Sequence, residues 1–322
     1  MEMALIEPFM VKSEFGVGAD TAVELEAKSG ESLLVKDVII DNCSDDYVLL
    51  EVEKTTVGFF RASGHLLGSH LPCSQAYFKG EKYQRGVFAG GSITLISYMI
   101  KKGWMRGYPV AEGQTFRVKP YTSGESLGNV IIVYEKYDAG DIKSTDPNGS
   151  EAKEYIFINY GRSSSNLTQS KDYEVDTCVT TKEFPDFPFA KSVPSKTTID
   201  ILAILGSECI DYDDASNYVS TKYLKVFRGR TCLFDRDKQG LPFYQPVFSG
   251  ISAGTHFGRG VSIIGNYSEY DRREPFVPPT PLTFGEGEEV KIYITALAEG
   301  TAAILGPKYA EIGIVEKVRV GE

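Results

Sequence analysis

The stretch Gly285–Leu297, GEGEEVKIYITAL, reads as a turn followed by a strand. A second stretch, Ala111–Ser123, AEGQTFRVKPYTS, repeats its plan 174 positions earlier. Each sets a Glu-Gly pair ahead of a run in which apolar and polar residues alternate, the period of a strand with one buried face. Phe116 and Val118 stand against Val290 and Ile292, and Arg117 against Lys291. The match predicts a chain made of two similar halves.

Working outward, further matches keep the same order along the chain. KSGESLLVKDVIID (Lys28–Asp41) is answered by PSKTTIDILAILG (Pro194–Gly206), and Cys43 with Asp45 and Asp46 by Cys209 with Asp213 and Asp214. Tyr47-Val48 lies against Tyr218-Val219, and the run ending VGFFRA (Val57–Ala62) against LKVFRG (Leu224–Gly229). GVFAGGSITLISY (Gly86–Tyr98) pairs with THFGRGVSIIGNY (Thr255–Tyr267). The closing runs NVIIVYEKY (Asn129–Tyr137) and EIGIVEKVRV (Glu311–Val320) agree once about eight residues are inserted around Glu299–Tyr309. Identity is thin; the order of the matches carries the argument.

Strand signals dominate both halves: β-branched and aromatic runs bounded by Gly, Asn, Asp or Ser. They cover Glu31–Asp41, Asp46–Phe60, Gly91–Ile100 and Asn129–Tyr137 in the first half. Asp141–Glu151, DIKSTDPNGSE, has nothing apolar after Ile142 and reads as a linker. Strands resume at Glu154–Gly161, Thr197–Gly206, Asn217–Gly229, Gly260–Tyr270, Glu288–Ala298 and Tyr309–Val320. A short helix is expected in Cys73–Gly86, while Asp213–Phe227 fits helix or strand. About eight short strands per half fit an eight-stranded double-sheet jelly roll. The expected fold class is all-β: two tandem jelly-roll β-sandwiches, residues 1–145 and 146–322, with a few short helices in loops.

Bulk properties bound the function. Hydrophobic content of 42% and charged content of 24% are ordinary for a globular chain, and 12% aromatics suit pleated surfaces. The net charge of −10 argues against a polyanionic partner, and the basic spots are short: Lys101, Lys102 and Arg106; Arg228 and Arg230; Arg272 and Arg273. No specific nucleic acid is expected. The opening MEMALIEPFMVKSEF lacks a basic region followed by an apolar run, so the expectation is synthesis and folding in a cytoplasm. Asn42, Asn148, Asn166 and Asn266 head N-x-S/T sequons, read as coincidence without an export signal. The five cysteines, Cys43, Cys73, Cys178, Cys209 and Cys232, form no CxxC pair and are read as free thiols, with one disulfide left open.

Chemistry is hard to find. His65 and His70 sit five apart in GHLLGSH without the following Glu of a cupin metal site, and His256 is isolated. The cluster ECIDYDD (Glu208–Asp214) has calcium-type ligands but neither the central Gly nor the terminal Glu of a helix-loop-helix site, and reads as a solvated turn. The glycine-rich GVFAGG, GRG and FGVG lack the P-loop Lys and its strand-to-helix setting. Trp104, with Tyr108 nearby, offers a sugar-stacking platform or a contact patch, though core or interface packing outweighs both. The proline-dense Glu274–Phe284 reads as a rigid extended segment. No catalytic residue, metal or cofactor is assigned.

The paired strands GQTFRVKPYT and GEEVKIYIT, the paired closing strands and the linker around Asp146-Pro147-Asn148 resemble the double jelly-roll major capsid proteins of tailless icosahedral viruses, archaeal membrane-containing ones included. The likeness spans nearly the whole chain and rests on architecture rather than a signature motif. It implies a non-enzymatic virion protein, made in the host cytoplasm. Three chains would form a pseudo-hexagonal homotrimer that tiles a shell by lateral contacts, with terminal arms that lock neighbours or touch an internal lipid membrane. The competing reading is a two-domain β-sandwich carbohydrate-binding protein or glycoside hydrolase, for which Trp104, Tyr108 and Asp211–Asp214 are the candidates. A third is a receptor-binding or surface-layer protein.

Overall fold

The computed structural model describes residues 5–45, 47–61, 94–142, 154–177, 192–206, 211–214, 217–234, 240–242, 247–248, 257–258, 276–299 and 311–321. The chain divides into two units, Met1–Ile156 and Phe157–Glu322.

In the first unit the strands are β1 (Leu5–Ala19), β2 (Val23–Glu26), β3 (Glu31–Asp41), β4 (Tyr47–Val52), β5 (Thr55–Arg61), β6 (Tyr108–Val110), β7 (Thr115–Pro120) and β8 (Ser126–Asp138). The one helix among the described residues, α1 (Leu95–Lys101), lies between β5 and β6. Two four-stranded sheets form, in the orders β1-β8-β3-β6 and β2-β7-β4-β5. The first strand pairs with the last, the second with the seventh, the third with the sixth and the fourth with the fifth, all antiparallel. A two-stranded ribbon folded at β4–β5 and rolled up gives this pattern, which is the winding of a jelly roll.

Alternation decides which side faces in. On β7, Phe116 and Val118 are fully buried while Arg117 and Lys119 reach outward. Leu25 and Val52 flank Phe116, and Val23 and Leu50 flank Val118, so each inward side chain is packed from both neighbouring strands. Val35, Val38, Ile40, Val130 and Ile132 are buried on the other sheet. Burying each such side chain stabilises the unit by about 1.5–3 kcal/mol.

The second unit holds β9 (Glu154–Ser163), β10 (Asp172–Thr177), β11 (Thr197–Gly206), β12 (Asp211–Asp214), β13 (Asn217–Arg228), β14 (Thr231–Leu233), β15 (Leu241–Pro242), β16 (Val247–Phe248), β17 (Phe257–Gly258), β18 (Leu282–Phe284), β19 (Val290–Glu299) and β20 (Glu311–Val320). The order β9-β20-β11-β18 repeats β1-β8-β3-β6, and β10-β19-β13 repeats β2-β7-β4, with β12, β14 and β15 along β13. A short pairing of Val175–Thr177 with Gly161–Ser163 joins the two runs into one sheet. β16 and β17 pair with each other.

The repetition descends to single hydrogen bonds. Gly113 and Gly287 both take a left-handed φ, +79° and +74°, and their N–H groups donate to Ala27 and Val193 carbonyls at 2.8 and 3.0 Å. Ala27 and Val193 N–H return bonds of 2.9 Å to Gln114 and Glu288 carbonyls. Glu112 accepts from Ser29 Oγ and Gly30 N, and Glu286 accepts from Ser195 Oγ and Lys196 N. The hairpins agree too: Glu53 and Gly229, at φ 57° and 56°, donate to Thr115 and Glu289 carbonyls, each at 2.8 Å. The bulge between Val35 and Asp37 opposite β8 recurs between Ile201 and Ala203 opposite β20. Through that register Val133 matches Val315, so the halves are offset by 182 positions here and by 174 at the Glu-Gly turns, which is the expected insertion of eight.

Several sequence readings change. The end of Gly91–Ile100 is α1 rather than a strand: Thr94 caps it by accepting from Ser97 N at 3.0 Å, and Leu95, Ile96, Tyr98 and Met99 bury one helical face. The sheet-facing contacts override a β-branched, aromatic run that suits either state. β13 resolves Asp213–Phe227 as strand from Asn217 onward. Pairing with β7 and β19 matches Tyr47 to Tyr223 rather than Tyr218, because β13 is longer at its start. VGFFRA falls largely on β5 and LKVFRG on β13, strands that are not equivalent. The Asp211–Asp214 run is strand β12, hairpinned with β13, rather than a turn. β1 and β2 escaped the sequence reading. The helix expected in Cys73–Gly86, the strand expected at Gly260–Tyr270 and the linker from Lys143 to Glu151 lie outside the described residues.

Candidate assembly surface

The outer face of the sheet β1-β8-β3-β6 is built by the residues that alternate away from the core. On β1 these are Phe9, Val11, Ser13 and Phe15; on β8, Ile131 and Val133; on β3, Asp37 and Ile39. Phe9 and Phe15 are 67% and 70% exposed, and Leu5, Ile6 and Val11 are also exposed. Single exposed apolar residues are common, but two phenylalanines and a valine on one strand face, beside half-buried Ile131 and Val133, make a patch.

Over β3 the same face is covered by α1. Thr94 Oγ1 donates to Asp37 Oδ1, and Val38 N donates to it at 2.9 Å. Burial pushes the Asp37 carboxyl above the usual carboxylate range, against the lowering by those two bonds and by Lys101. Leu34, Tyr137 and Ile142 form a further small buried cluster. Tyr137 is pushed up to about 12, first by burial and then by its 2.7 Å bond to Glu135. Over β1, nothing among the described residues plays the part of α1.

β1 is also an edge. Among the described residues it pairs with β8 on one side and with no strand on the other. Bulges interrupt the β1–β8 register between Glu7 and Met10 and between Glu14 and Val17, leaving Met10–Glu14 regular. Lys12 and Glu14 lie on the opposite face from the patch, in an ion pair of 3.2 Å. Sequence reading missed this surface; its signal is Phe9, Val11 and Phe15 at alternate positions about Lys12, Ser13 and Glu14.

Residues singled out for chemistry fall elsewhere. Tyr108 is buried on β6, 6.1 Å from the Phe116 ring, and Trp104 packs edge-on to Tyr98 at 5.8 Å, so the two do not form a stacking platform. Cys43 is buried, its thiol donating to the Asp45 carbonyl, and Cys232 is half-buried; Cys73, Cys178 and Cys209 lie outside the described residues. His65, His70, His256, Asn148, Asn266, Arg272 and Arg273 also lie outside them. Asn42 is exposed in a left-handed turn at φ 60°, whereas Asn166 Oδ1 is buried. Arg228 pairs with Glu288 at 3.7 Å and lies over the Phe284 ring. Among the described residues, no three His, Cys, Asp or Glu side chains gather as a metal site, and no helix is long and apolar enough to cross a membrane.

No family model matches the chain, and no curated protein matches it. Among solved structures, the PBCV-1 virus capsid quasi-atomic structure is similar at 10% identity and a TM-score of 0.31, covering 100% of this chain and 97% of that one. PBCV-1 VP54 fitted into a reconstruction of the virophage Sputnik is similar at 11% identity and a TM-score of 0.29, covering 99% and 96%. The glycosylasparaginase PNGase F of Flavobacterium meningosepticum is similar at 10% identity and a TM-score of 0.22, covering 98% and 96%. Capsid proteins and an enzyme thus stand at comparably low similarity.

Proposed function

We propose that this chain is a viral structural protein, a double jelly-roll major capsid protein whose two rolls correspond to residues 1–145 and 146–322. The supporting observation is the duplication of one wound ribbon down to its corner hydrogen bonds, at Glu112 and Glu286. Two similar but inequivalent sandwiches in one chain provide six near-equal sides when three chains associate, which suits a pseudo-hexagonal block tiling an icosahedral shell. The exposed apolar face of β1 favours a protein that works by contact with other subunits over one that transforms a substrate. Its place is then the virion, with assembly contacts as its partners and an internal membrane as a further one.

Solution mass and electron microscopy of the purified chain test the reading. Trimers that appear as hexagonal blocks, or that assemble into shells, are the expected result. A stable monomer that binds or cleaves oligosaccharide would overturn it in favour of the carbohydrate reading.

A further inference from the structure

We propose that β1 is a two-fold contact strand: it pairs antiparallel, about an axis through Ser13, with β1 of a second copy of this chain.

The chemistry of the strand selects that partner and that register. Among the described residues β1 ends its sheet, and an edge strand presents its outward N–H and C=O groups as a template for a further strand. Antiparallel pairing of a strand with itself is fixed by the residue on the axis. With Lys12 on the axis, lysine faces lysine; with Ser13 there, Lys12 of each copy faces Glu14 of the other. The 3.2 Å Lys12–Glu14 pair within one copy then becomes a ring of four alternating charges. Opposite charges directly across a pair of strands are favourable and like charges are not.

The same register aligns the other face. Val11 comes opposite Phe15 of the second copy, and the exposed Phe9, Val11 and Phe15 of both copies line one continuous apolar stripe. Rings that meet water in the single chain then pack on a neighbour. Pro8 and the bulge between Glu7 and Met10 on one side, and the bulge between Glu14 and Val17 on the other, flank the segment centred on Ser13 and limit its length. A contact that buries the same patch on both copies closes at two. The edge is therefore protected against open-ended stacking yet fitted to one partner. This contact is independent of whether the chain tiles a shell; in a shell it would join one block to another.

A cysteine scan on the full chain tests it. Ser13→Cys places two thiols across the axis, within the Cα separation of about 4.5–5.5 Å of directly opposed residues, which suits a disulfide. Mild oxidation should give a covalent dimer, and nothing larger, in most of the Ser13→Cys protein. The unsubstituted chain and Lys12→Cys should give none above background. In the unoxidised chain, Lys12→Glu and Glu14→Lys should each weaken the dimer at least tenfold, and the double exchange should restore it. Equal cross-linking at positions 12 and 13, or a double exchange no better than either single one, would overturn the register. Absence of any cross-link at Ser13 in a chain whose circular dichroism and melting match wild type would overturn the contact, while leaving a trimer measured by mass untouched.

Discussion

Asn159 on β9 and Glu316 on β20 are hydrogen-bonded to each other on neighbouring strands, and both are almost wholly buried. Glu316 follows Ile314 and precedes Val318 on the inward face and stands opposite Ile201. A carboxylate there has left water for an apolar interior, and the amide bond offsets only part of that loss. Among the described residues Glu316 Oε2 accepts no hydrogen bond, and a proton on Glu316 removes the charge that burial penalises.

The pH dependence follows with a definite sign. Burial pushes Glu316 up to about 8 from an ordinary 4.5, so the folded state holds a proton that the unfolded state has released. That contribution to stability is fully present below pH 4.5 and is lost as pH rises towards 8, at up to about 1.4 kcal/mol per pH unit. Chemical denaturation from pH 4 to 9 should show the decline in the wild type and a flatter profile in Glu316→Gln, whose advantage grows with pH. Parallel profiles would mean that Glu316 is already ionised in the fold.

The two Glu-Gly turns offer a test of equivalence. Glu112 and Glu286 each tie down the loop before the third strand of their roll through a serine hydroxyl and the next backbone N–H. Those two donors hold Glu286 below the usual carboxylate range, so its bonds are lost on acidification rather than near neutrality. Glu112→Ala and Glu286→Ala should each lower the melting temperature by a few degrees and act additively, because the sites share no partner. An effect at one site alone would show that the repeated geometry does not carry repeated energetics.

What could be read without coordinates was local and periodic. The Glu-Gly turns, the closing strands β8 and β20 and the eight-residue offset between them were legible, since alternation and turn residues mark them directly. Sheet order was not: that β1 lies beside β8 depends on pairing across more than a hundred residues, which no window contains. β1 was missed because its outward positions carry phenylalanine and valine, so the inside-outside contrast that marks a half-buried strand is blurred. α1 was misread because TLISYMI suits a strand on propensity, and only its packing against β3 and its Thr94 cap decide otherwise. Tyr218-Val219 resembles Tyr47-Val48 in sequence more than Tyr223-Leu224 does, although pairing makes Tyr223 the equivalent of Tyr47. The assembly surface followed β1 out of view.

Thr94 has two tasks whose energies can be separated. Its hydroxyl oxygen accepts from Ser97 N to start α1, and its hydroxyl proton goes to Asp37, a carboxylate pressed against the bulge of β3. Losing the cap alone costs about 1 kcal/mol. Leaving a mostly buried carboxylate short of a donor adds about 1–3 kcal/mol, so Thr94→Ala should destabilise the first roll by about 2–4 kcal/mol. Thr94→Ser keeps both bonds and should stay within about 0.5 kcal/mol of wild type. Asp37→Asn keeps the cap and an acceptor while removing the buried charge, so it should cost less than Thr94→Ala. With Asn at position 37, the penalty of Thr94→Ala should shrink towards that of the cap, because no charge is left stranded. Denaturant unfolding of the four variants closes this cycle, and a Thr94→Ala penalty unchanged by Asp37→Asn would show that the hydroxyl serves the helix alone.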